Sequence, residues 1–78
     1  MSQDILVQCF VEALGVQAPV VVDSLKYNSI AQWDSVAHMT LIAMLEEKFD
    51  LMLDTDDIID MSSVAKAKEI LSKYGVHF

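Results

Sequence analysis

Asp34, Ser35 and His38 stand within one helical turn of each other, an acid, a hydroxyl and an imidazole in a chain of 78 residues. Two chemistries use such a set. In the first, Ser35 is a nucleophile with His38 as its base. That arrangement needs an oriented base and an oxyanion hole, and the elbow pattern G-x-S-x-G is missing around Ser35. In the second, Ser35 is a point of covalent attachment. Asp34 or Ser35 caps a helix there, and the free N–H groups and positive dipole end of that helix can hold a phosphate.

Composition narrows the rest. Twelve Asp and Glu stand against five Lys and no Arg, for a net charge of -7, which argues against nucleic acid and for basic protein partners. Cys9 is the only cysteine, so no disulfide framework forms, and no Cys/His spacing suits zinc. An EF-hand loop starting at Asp54 would place Ile59 where glycine is needed and Ala65 where glutamate is needed. Calcium is rejected on that ground. No apolar run approaches the ~20 residues of a membrane span, and the N-terminus lacks a positive signal region. A cytoplasmic, monomeric single domain over residues 1–78 is the expectation.

The elements that would position Ser35 follow from apolar spacing. Ile5, Leu6, Cys9, Phe10, Ala13 and Leu14 predict a helix from about Gln3, capped by Ser2 and closed by Gly15. Gly15 to Trp33 reads as a long loop whose apolar residues tuck against the helices, anchored by Leu25, Tyr27, Ile30 and Trp33. Val20 to Val22 has no second strand to pair with, so no sheet is expected. A loop of that length in so short a chain usually carries function.

The second helix is predicted from Asp34 or Ser35 to Phe49, with Met39, Leu41, Ile42, Leu45 and Phe49 facing the core. On that reading Phe49→Ala costs ~3 to 5 kcal/mol. His38 lies on the core side near the helix start, a partly buried residue bordering any internal cavity. Val36, Thr40, Ala43 and Glu47 make an opposite ridge, with Met44 beside them, suited to docking a partner. Thr55 would cap a short third helix turning Ile58, Ile59 and Met61 inward. Ser62 or Ser63 would cap a last helix with Val64, Ala67, Leu71 and Tyr74 inward, closed by Gly75. Seven acids fall between Glu46 and Asp60, Asp56 and Asp57 among them, and form an acidic strip. The fold class is all-α, a four-helix bundle of three longer helices and one short third helix.

Asp34-Ser35-Val36, followed by Leu41-Ile42-Ala43-Met44-Leu45-Glu46-Glu47-Lys48-Phe49, resembles the acyl carrier proteins, whose Asp-Ser-Leu motif opens the second helix of a four-helix bundle. The likeness extends over the whole chain, through the long first loop, the acidic short third helix and Ser62-Ser63-Val64 at the fourth. Asp23-Ser24-Leu25 matches the motif more literally, but no amphipathic helix follows it. What the resemblance implies is a chain that catalyses nothing. A phosphopantetheinyl transferase, holding its own magnesium, would attach phosphopantetheine to Ser35, beside Asp34. The arm would then carry an acyl or aminoacyl thioester between a ligase, synthase or transferase with basic docking surfaces. Fatty-acid carriers are commonly acidic two and five residues after the serine, where this chain has Ala37 and Thr40. A dedicated polyketide-like, nonribosomal or polysaccharide-modification pathway is the expectation, with a housekeeping fatty-acid carrier as the alternative. From another class, an unmodified acidic helical adaptor would use the same ridge.

Overall fold

A computed structural model describes all residues from Met1 to Phe78. Four α-helices, α1 (Ser2–Leu14), α2 (Ser35–Phe49), α3 (Thr55–Asp60) and α4 (Val64–Lys73), and a 3₁₀ turn at Ala18–Val20 make up its regular structure. The only extended pairing is a single antiparallel bridge between Lys26 and Ser63. The body is all-helical, and no helix is long and apolar enough to cross a membrane.

One apolar cluster joins every part of the chain. Leu6, Cys9, Phe10 and Leu14 of α1 meet Leu41, Ile42 and Leu45 of α2 and Val64, Ala67, Ile70 and Leu71 of α4. Between them sits Trp33, fully buried, with Phe10 edge-on to its ring at 5.2 Å. Burial of large apolar side chains is the main favourable term in a chain this short. Trp33 is therefore the anchor of the long loop.

Chain reversals fall where backbone chemistry allows them. Gly15 ends α1 with φ 68 and its N–H returns to the Val11 carbonyl, the left-handed closure that glycine makes without a Cβ clash. Asp50 performs the same turn after α2 with φ 52, in a conformation that Asp tolerates better than most residues. The Glu46 carboxylate then accepts from the Leu53 N–H at 2.9 Å and folds the connection back onto α2.

Several expectations are corrected. Met1 occupies the N-cap of α1 and Ser2 is already helical, with no side-chain cap. Asp54, again without a side-chain cap, precedes α3, and Thr55 is its first helical residue. Met39 is 58% exposed and Ile59 73% exposed, so neither belongs to the core. Met44 is half-buried against the core instead of standing free on the ridge. Val21 and Leu25 are buried, but Val20, Val22 and Tyr27 reach the surface. Phe49 is half-buried, edge-on to Phe78 at 6.3 Å. Ile70, unassigned from the spacing, is buried.

Asp57 departs most. Expected on an acidic docking strip, it is 8% exposed, taking Lys73 Nζ on one oxygen and the Tyr74 hydroxyl on the other, each at 2.6 Å. Those two bonds, in that order, hold its carboxyl below the usual carboxylate range.

Candidate functional site

Ser35 is the first residue of α2 and is exposed. Asp34 before it has extended backbone, and its Oδ1 accepts from the Ala37 N–H at 2.8 Å. This is a true N-cap, and its negative charge also faces the positive end of the helix dipole. The first N–H groups of any helix lack partners within it. Asp34 takes up the one at Ala37, which leaves those of Ser35 and Val36 at the surface beside the hydroxyl. An exposed hydroxyl next to free N–H groups at a helix start suits a phosphate ester.

The approach to Ser35 is fixed by the loop. Asn28, with φ 65, sends its N–H back to the Trp33 carbonyl at 3.0 Å. The Ser29 hydroxyl donates to the Lys26 carbonyl and accepts from the Lys26 N–H. The loop is also stitched to α4: Tyr27 N–H donates to the Ser62 carbonyl, and the Val64 and Ala65 N–H groups donate to the Leu25 and Asp23 carbonyls. Ser63 caps the next donor, that of Lys66, at 3.0 Å. The long loop thus satisfies the first turn of α4 and is held in place by it.

His38 is partly buried beneath this loop. Its Nδ1 lies 3.0 Å from Trp33 Nε1 and its Nε2 2.8 Å from the Ile58 carbonyl oxygen. An indole nitrogen only donates and a carbonyl only accepts. Nδ1 must therefore be the acceptor and Nε2 must carry the proton. Both ring nitrogens are committed away from Ser35, and the nucleophile-and-base reading loses its base. The imidazole is stacked at 24° to Trp33 and meets Tyr27 edge-on at 5.4 Å.

Beside Ser35 opens a cavity of about 350 Å³. Its walls are Met39 and His38 of α2, Tyr27 of the loop, and Ile58, Ile59 and Met61 of α3 and its end. The exposed Met39 and Ile59 thus have a place after all, as the lips of an apolar groove at the serine. Sequence reasoning missed them as site residues because an apolar residue at helical spacing reads as core. Their signal was their number: α2 and α3 hold more apolar residues than the core can cover.

The remaining candidates are spread along α2 and α3. Val36, 75% exposed, leads a line through Thr40, Ala43 and Glu47, all at the surface. The Thr40 hydroxyl donates to the Val36 carbonyl one turn back. Asp56 is exposed on α3, whereas Asp57 is turned inward. Ser24 is exposed in a turn with no helix after it, and Asp23 beside it pairs with Lys68 at 2.7 Å. Cys9 is buried in the α1 stripe, and burial, then Glu12, pushes its thiol up. It is an inert packing residue. No group of His, Cys, Asp and Glu side chains is assembled to hold a metal ion.

Compared with known proteins, the chain matches no family model, no curated protein and no solved structure.

Proposed function

We propose that the chain is a small acyl or aminoacyl carrier, modified with phosphopantetheine at Ser35. The observation that carries the reading is the exposed Ser35 hydroxyl at the start of α2, capped by Asp34 and bordered by an apolar cavity. In the modification Ser35 Oγ attacks the β-phosphorus of coenzyme A. The Oγ–P bond forms, the bond to the adenosine bisphosphate breaks, and the serine proton passes to a base of the transferase. His38 is engaged elsewhere, in keeping with a partner that supplies the base. The likeness to acyl carrier proteins supports the same reading, through the helix order, the long first loop and the Leu-Glu-Glu-Lys-Phe ending of α2.

Docking would use the α2 line of Val36, Thr40, Ala43 and Glu47, with Asp56 on α3, against a basic partner surface. Ala37 and Thr40, where fatty-acid carriers are commonly acidic, favour a dedicated pathway over housekeeping fatty-acid synthesis. The chain would act as a monomer. The test is an intact mass spectrum after incubation with coenzyme A, magnesium and a broad-specificity phosphopantetheinyl transferase. Wild type and Ser24→Ala should gain one phosphopantetheine, and Ser35→Ala none. A folded wild type that gains nothing would instead favour an unmodified adaptor acting through the same ridge.

A further inference from the structure

The α3 helix is held very differently on its two flanks. Toward α4, Asp57 takes Lys73 and Tyr74 at 2.6 Å each, and the Tyr74 hydroxyl accepts from the Asp54 N–H at 3.0 Å. Charge-assisted bonds of this kind are the stronger class. Toward α2 the side-chain link is a single neutral bond, from His38 Nε2–H to the Ile58 carbonyl at 2.8 Å. Both His38 of α2 and Ile58 of α3 line the cavity at Ser35. The bond therefore joins the α2 and α3 parts of its wall.

We propose that His38 is a positioning residue for the Ser35 site: hung from Trp33 through Nδ1, it ties α3 to α2 through Nε2–H and limits what the cavity admits. With α3 anchored on α4, releasing this tie lets the Ile58–Met61 wall swing outward about the Asp57 side. The indole completes the device. By donating to Nδ1 it forces the proton onto Nε2, where the Ile58 carbonyl needs it, so the buried core sets the hydrogen-bonding state of a residue at the surface cavity. The carrier reading supplies only the identity of the occupant, a group tethered to Ser35. The tie itself exists without it.

Two conservative variants separate the two halves of the link, because an asparagine amide reaches the position of Nδ1 and a glutamine amide that of Nε2. His38→Asn keeps an acceptor for Trp33 and loses Ile58; His38→Gln keeps a donor for Ile58 and loses Trp33. In the unmodified full chain, His38→Asn should speed amide exchange over residues 58–61 by about three- to tenfold, the loss of one neutral hydrogen bond. It should tighten binding of the neutral apolar dye N-phenyl-1-naphthylamine by a similar factor. His38→Gln should leave both within about twofold of wild type and should shift the Trp33 emission, which His38→Asn preserves. Equal exchange and equal dye affinity in the two variants would overturn the proposal. A measurement on wild type guards against variants that do not fold: nitrogen-15 spectra of the imidazole should show the proton on Nε2, and a proton on Nδ1 would sink the idea. None of these readouts requires phosphopantetheine, so a failure here and a failure of Ser35 modification are separate results.

Discussion

Asp57 joins an acid, a base and a phenol in one small cluster, and its titration has a definite sign. Hydrogen bonds from Lys73 and Tyr74 hold its folded-state pKa down. The stability it contributes is present above the unfolded carboxylate value of ~3.9 and is lost as pH falls through the lower folded value. Lys73 and Tyr74 are both pushed up, first by their bonds to Asp57. Their contribution is whole below about pH 10 and fades as pH rises through their folded values. Asp57→Asn should therefore melt lower than wild type at neutral pH, with the gap narrowing below about pH 4 and again above about pH 10. A gap of constant size across melts from pH 3 to 11 would mean that the cluster is not what the substitution removes. The inward turn of Asp57 was not legible in the sequence. A helix of six residues makes fewer than two turns, so apolar spacing cannot fix its phase, and Asp57 and Ile59 were exchanged between inside and outside.

Longer helices declare themselves better. Over the 15 residues of α2 the spacing identifies Leu41, Ile42 and Leu45 as core, and the helix begins at Ser35, one of the two starts that the sequence offers. Met39 fails because a wheel gives direction but not cover. Near its start α2 runs past the packed interior and borders the cavity, so a residue on the correct side still meets solvent. Caps were legible to within one residue where a side chain closes the turn, at Asp34 of the pair Asp34 and Ser35 and at Ser63 of the pair Ser62 and Ser63, and illegible at α1, where Ser2 lies inside the helix. Asp34→Ala removes the bond to the Ala37 N–H and should destabilise the protein by ~1 kcal/mol. Urea unfolding of this variant that coincides with wild type would show that the α2 start is held by the loop alone.

For the molecule as a whole, the packing around Trp33 decides stability. Phe10 is fully buried against it, and Phe10→Ala should cost ~3 to 5 kcal/mol through the cavity it leaves. Phe49, half-buried beside Phe78, should cost clearly less, in contrast to its rank from apolar spacing. Paired thermal melts in which Phe49→Ala lost as much as Phe10→Ala would place the centre of the core elsewhere. The overall architecture was legible because helix periodicity, glycine turns and the lack of a second strand candidate all point to one all-helical body. What escaped was the contact between the long loop and α4, which joins residues some forty positions apart and has no local pattern to announce it. That contact carries a consequence for folding. Leu25 and Asp23 supply the carbonyls that begin α4, while Ser62 anchors Tyr27, so neither segment has its final backbone partners until the other arrives. A fragment ending before Ser62 would retain Ser35 and the sequence of α1 and α2, yet leave the loop ahead of the serine without its frame. On the carrier reading, attachment competence would be a late acquisition, gained only once the last fifth or so of the polypeptide has come home.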